Sequence, residues 1–101
     1  MIIVVARIES RAEDIDALRD VLREMEEATR AEPGCHDYAF CQEISDPDRI
    51  RIVELWESME ALASHFGTPH MAKFNAALAD RPPRAMDLKI HELGAEQSLP
   101  S

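Results

Sequence analysis

Cys35-His-Asp-Tyr-Ala-Phe-Cys-Gln-Glu-Ile44, then Ser45-Asp-Pro-Asp48, then Ile50-Arg-Ile-Val-Glu-Leu-Trp-Glu57, reads as two strands joined by a turn. β-Branched and aromatic residues fill both runs, and the Asp-Pro-Asp segment between them is a turn signal, so the pair predicts a hairpin. Alternation assigns His36, Tyr38, Phe40, Gln42 and Ile44 to one face of the first strand. Cys35, Asp37, Ala39, Cys41 and Glu43 take the other. On the second strand Ile50, Ile52, Glu54 and Trp56 share a side, opposite Arg51, Val53, Leu55 and Glu57.

Upstream, Ile2–Ile8 is an apolar run that reads as a strand. Ser10-Arg-Ala-Glu13 matches a capping box, with Ser10 predicted to cap the helix and Glu13 to reach back. Ile15, Leu18, Leu22 and Met25 follow at helical spacing and give one long amphipathic helix. It must stop before Glu32-Pro33-Gly34. Downstream, Ser58 is placed to cap a short helix ending at His65 or Phe66, and Gly67 breaks it. Thr68-Pro69-His70 reads as a cap and the first two positions of another helix, running to about Ala79. Arg81-Pro82-Pro83 ends that helix, and Ala85–Leu93 reads as a fourth strand. The order β-α-β-β-α-α-β predicts an α+β, ferredoxin-like fold in a single domain over residues 1–94, with 95–101 as a C-terminal tail. The first and third strands are apolar at successive positions, whereas helices cover only one sheet face. A second sheet is therefore expected on the other, most simply from another copy of the chain.

The chain has 101 residues, and its 20 acidic against 11 basic residues give a formal net charge of −9. With no basic stripe, nucleic acid and anionic membrane surfaces are not expected partners. No apolar run approaches the ~20 residues of a membrane span, and the N-terminus lacks a basic region before its apolar residues, so a cytoplasmic protein is expected. Cys35 and Cys41 lie six residues apart on one predicted strand, about 20 Å, which excludes a disulfide between them and predicts free thiols.

Residues able to do chemistry concentrate between Glu54 and His70. Alternation sends Glu54 and Trp56 to the same sheet face. His70 falls on the first helical turn, where the helix dipole opposes a positive charge. A neutral imidazole there can act as a general base or hydrogen-bond a small organic ligand. The five-residue spacing of His65 and His70 crosses Gly67-Thr68-Pro69 and places them on no common helix face, which argues against a metal site.

The pattern resembles the antibiotic-biosynthesis-monooxygenase family, which includes quinol monooxygenase-like proteins. The residues that carry the likeness are Glu32-Pro33-Gly34-Cys35, Tyr38, Asp46-Pro47, Glu54-Leu55-Trp56, Ala61-Leu62, His65 and Thr68-Pro69-His70. The resemblance implies a homodimeric α+β barrel with a pocket between sheet and helices in each protomer. It implies oxidation of a small aromatic or quinol-type compound by O₂, with no metal, flavin or haem. His65 and His70 are the catalytic candidates, and Tyr38, Glu54, Trp56, Met71 and Phe74 the substrate-binding ones. A haem-degrading branch of the family uses an asparagine on the first strand and a tryptophan on the helix after the third. Ile2–Ile8 has no asparagine and His65 takes the tryptophan's place, so that branch is disfavoured. Two other outcomes remain open at this level: a non-catalytic binder of small hydrophobic metabolites, and an isomerase using the same histidines.

Overall fold

The computed structural model describes residues 1–100. Its elements are β1 (Ile2–Glu9), α1 (Ala12–Ala17), α2 (Arg19–Arg30), β2 (Cys35–Gln42), β3 (Arg49–Trp56), α3 (Met59–Phe66), α4 (Pro69–Asp80) and β4 (Ala85–Glu92). The four strands form one antiparallel sheet in the order β2-β3-β1-β4. This is the expected α+β, ferredoxin-like arrangement. Ser101, the end of the expected tail, lies outside the described residues; residues 93–100 form neither helix nor strand, and Leu99 is 93% exposed.

Alternation sorts the core. Ile2, Val4, Ala6 and Ile8 of β1 and Ile50, Ile52, Glu54 and Trp56 of β3 are buried on the helix side, against Ile15, Met25, Leu62 and Phe74. Burying an aromatic or branched side chain of this kind contributes roughly 1.5–3 kcal/mol. On the opposite face Ile3, Val5, Val53 and Leu55 are only half-buried, and towards the hairpin end that face turns charged, with Arg7 directly opposite Arg51. Met86, Leu88 and Ile90 of β4 pair with Ile8, Ala6 and Val4, so they project to the helix side, yet they stay 49, 40 and 38% exposed. The helices do not extend over this edge strand.

Four local expectations differ from what forms. The long first helix is two, α1 and α2, separated at Leu18, whose N–H is shared between the carbonyls of Asp14 and Ile15. β2 ends at Gln42, and Ile44 projects fully into solvent. The Ser10–Glu13 capping box is absent. Ser10 still belongs to the sheet end, where its N–H bonds the Asp48 carbonyl, and the helix begins one residue later at an uncapped Arg11. Asp48, on the hairpin turn, caps α1 instead: its Oδ1 accepts from the Ala12 N–H at 2.8 Å. The fourth difference is a bulge between Cys35 and Asp37, which pairs Cys35 with Trp56 and Tyr38 with Glu54. One extra residue shifts the side-chain alternation. Cys35 therefore joins Tyr38 on the helix side, while Cys41, opposite Arg51, stays on the other face; both thiols are free.

Arg84 closes the same corner, donating to the Ser10 carbonyl at 2.6 Å and to Asp48 Oδ2 at 3.3 Å. Asp48→Ala is expected to cost about 1–2 kcal/mol by removing the cap of α1. Asp48→Asn should retain most of that stability, because its amide oxygen still accepts from Ala12 and only the exposed ion pair to Arg84 is lost. Urea unfolding midpoints of the two variants check this; equal losses would assign the effect to Arg84 rather than to the cap.

Candidate active site

The Glu32-Pro33-Gly34 turn decides where the site lies. Gly34 has φ +82°, and a Cβ there would stand 2.7 Å from the Ala61 Cβ of α3. Only glycine permits both that backbone conformation and that approach. The Gly34 carbonyl accepts from the Glu57 N–H at 2.8 Å, fastening the turn to the end of β3. Glu32, at the exit of α2, is thereby brought against α3 and α4.

There, Glu32 Oε2 lies 2.7 Å from His65 Nδ1 and 2.8 Å from His70 Nε2. A carboxylate only accepts, so each ring donates at that nitrogen, and a neutral ring then has its lone pair on the other one. His65 is 1% exposed; the side chains of Glu32 and His70 are 11% and 18% exposed. Local capping produces this convergence. Ser58 accepts from the Ala61 N–H at 3.2 Å, which starts α3 as expected, and Thr68 Oγ1 accepts from Met71 N–H at 3.3 Å with Pro69 in the first turn of α4. The Thr68 hydroxyl also donates to the His65 carbonyl at 2.8 Å, which holds the α3–α4 corner closed. The two histidines share no helix face, as their spacing implied, but the corner folds both rings onto one oxygen.

Aromatic rings surround the group. Trp56 and Tyr38 lie 5.0 and 5.6 Å from the His65 ring between centroids. Tyr38 meets Phe40 at 5.6 Å, and Phe40 meets Phe74 at 5.7 Å. Glu54 is 5% exposed, and its Oε1 accepts the Trp56 indole N–H at 2.9 Å, so the same-face reading of this pair holds. Of the residues singled out in the sequence, His65, His70, Tyr38, Glu54 and Trp56 gather at one place. Phe74 meets Phe40 and lies in the same buried core, and Met71 is half-buried at its edge. Trp56, Tyr38 and Phe74 are fully buried, whereas a cleft of about 160 Å³ opens farther along the sheet, beside Phe40, Ile50 and Leu22 and edged by Arg19 and Arg23.

Burial raises the Glu54 carboxyl above its ordinary range; the indole hydrogen bond and His65 pull it down, and Glu32 adds to the rise. Burial, with the charges of Glu54 and Glu32, likewise raises the Tyr38 phenol, which stays an O–H donor. Cys35 is raised by burial and by the same two carboxylates, so it rests as a thiol and not as a nucleophile. Glu32 is the residue that sequence reasoning passed over. In the sequence it reads as part of a helix stop, although a carboxylate beside a Pro-Gly turn is the signal available there.

The chain matches the family model described as "Antibiotic biosynthesis monooxygenase" over residues 1–77. It belongs to this family. It is 35% identical over 77 residues to the Mycobacterium tuberculosis protein named "Putative monooxygenase Rv0793", covering 76% of this chain and 75% of that protein. It is 31% identical over 88 residues to the Escherichia coli protein named "Probable quinol monooxygenase YgiN", covering 77% and 85%. An uncharacterised Synechocystis protein is 30% identical over 73 residues, covering 72% of this chain and half of that longer protein. Among solved structures, a Deinococcus radiodurans protein titled as a "putative antibiotic biosynthesis monooxygenase" superposes with a TM-score of 0.90 at 26% identity, covering both chains completely. The structure of Rv0793 gives 0.83 at 29% identity, over 96% of this chain and 98% of that one.

The buried Glu54 carboxyl makes stability depend on pH. Its folded value lies above the unfolded one, so the folded state holds the proton longer. Its stabilisation is complete below the ordinary carboxylate range and is lost as pH rises through the raised value. Glu54→Gln keeps an oxygen acceptor for the Trp56 indole and cannot ionise. The variant should match the parent in acid and exceed it at neutral pH, as read from urea midpoints across that range. A parent that outlasts the variant at neutral pH would contradict this.

Proposed function

We propose that the chain is a cofactor-independent monooxygenase that oxidises a small aromatic or quinol-type compound with O₂. The observation that carries this reading is Glu32 Oε2 accepting from both His65 and His70. His70, the more accessible ring, is the proposed base through Nδ1. As that nitrogen takes the substrate's hydroxyl proton, Glu32 faces the imidazolium and stabilises it. His65 orients Glu32 from the buried side and offers Nε2 as a second proton acceptor. Tyr38 and Trp56 back the His65 ring, Glu54 fixes the indole, and Met71 and Phe74 complete the apolar surroundings that the substrate would meet.

The reaction balances without an external reductant. Deprotonation gives an electron-rich phenolate, which passes one electron to O₂. Superoxide and the semiquinone radical combine at a ring carbon. Once the resulting peroxide is protonated, that carbon loses its hydrogen as a proton and the O–O bond breaks with departure of hydroxide. A quinol and O₂ thus become a hydroxyquinone and water: the ring gives up four electrons and O₂ takes four. The protein contributes orientation, the base and an environment poor in water.

The family match and the monooxygenase names of two relatives support the class of reaction. A homodimer is part of the proposal. The half-buried Ile3, Val5, Val53 and Leu55, and the uncovered Met86, Leu88 and Ile90, leave two apolar surfaces that a second copy would cover. No helix of the described residues is long and apolar enough to cross a membrane.

Oxygen uptake with a panel of hydroquinones and hydroxynaphthalenes, in chelator-treated buffer without flavin, should be detectable. His70→Ala should lower it by about 10²–10⁴-fold, the usual contribution of a general base. Uptake unchanged in that variant would remove His70 from the chemistry. Sedimentation at micromolar concentration should give twice the 11.4 kDa chain mass, and a stable species of that single-chain mass would refute the dimer.

A further inference from the structure

The three groups that serve as base and positioner in this reading are also a ligand set. Two imidazole nitrogens and one carboxylate oxygen, all within 4.8 Å of one another, form the one such cluster of three among the described residues. Two histidines and a carboxylate are a recurrent donor set for zinc and for other first-row divalent ions, with further positions left for water or substrate. We propose that Glu32, His65 and His70 bind a divalent transition-metal ion of the zinc type, and that metal and proton-abstracting states of the site exclude each other.

The exclusion follows from tautomers. In the hydrogen-bonded state the N–H groups lie at His65 Nδ1 and His70 Nε2, pointing at Glu32 Oε2. A metal needs lone pairs at those same nitrogens. Each neutral ring must then carry its proton on the other nitrogen, which removes the lone pair that would take a substrate proton. No net proton is gained or lost by the rings; the metal replaces two N–H donors in front of one carboxylate. Ligand atoms now 2.7 and 2.8 Å apart have to open by about 0.7 Å to surround a tetrahedral ion at ~2.1 Å from each donor. His65 is fixed in the core, so the movement falls to His70 and Glu32, the more exposed pair. That exposed side is also where an ion and its water would enter.

The test is metal binding, read independently of turnover. Chelator-stripped protein is titrated with Zn²⁺ against a chromophoric competitor, and Co²⁺ is used as a spectroscopic probe. One equivalent per chain is expected, with the visible absorption of four- or five-coordinate Co²⁺. Glu32→Gln and His70→Ala should each weaken binding by at least about tenfold while retaining the cooperative unfolding of the parent. The double variant His36→Ala/His91→Ala, which removes the two histidines outside the cluster, should bind as the parent does. Absence of one-equivalent uptake, or uptake retained in Glu32→Gln and His70→Ala, or uptake lost in the His36/His91 variant, overturns the proposal. Oxygen uptake in chelator is unaffected by any of these outcomes, so the two readings fail separately; if both hold, Zn²⁺ should inhibit uptake at the concentration at which it binds.

Discussion

The candidate site of this molecule hangs on one carboxylate oxygen. Glu32 Oε2 receives hydrogen bonds from His65 on α3 and His70 on α4, and so ties the exit of α2 to both later helices. Hydrogen bonds to a charged group contribute more than neutral ones, and leaving such a group buried without partners is costly. The Glu32-Pro33-Gly34 turn, the Ser58 and Thr68 caps and the α3–α4 corner all serve to bring these three side chains within reach. The aromatic group of Trp56, Tyr38 and Phe40 packs around the result.

Much of the scaffold was legible in the sequence because its causes are local. Alternation in Ile50–Trp56 and the caps at Ser58 and Thr68 depend on residues a few positions apart, and each formed as expected. The failures share a different origin. Asp48 caps α1 from 36 residues away, so the nearer Ser10 was the only cap visible in one dimension. The bulge after Cys35 leaves no mark in the alternation itself, and it reversed the face assigned to that thiol.

The same distinction applies to the site. His65, His70, Glu54 and Trp56 stood out by residue type and spacing, whereas Glu32 sits 33 residues before the nearer histidine and looked like a helix stop. The five-residue histidine spacing reads as separation, since no straight helix presents both rings. A corner between two helices does, and that is a tertiary fact. Family resemblance points to the class of chemistry, whereas Glu32 comes into view beside the histidines only once the chain is folded.

The central interaction makes a specific statement about protons: Nδ1 of His65 and Nε2 of His70 carry the hydrogens, so that in a neutral ring the bare nitrogen is the other one. Long-range ¹⁵N–¹H correlation spectra of histidine-labelled, metal-free protein report ring tautomers directly. The expected result is an Nδ1–H tautomer for His65, uncommon among free histidines, an Nε2–H tautomer for His70, and a change in both when Glu32 is replaced by alanine. A His65 ring protonated on Nε2, or two rings indifferent to the loss of Glu32, would contradict it.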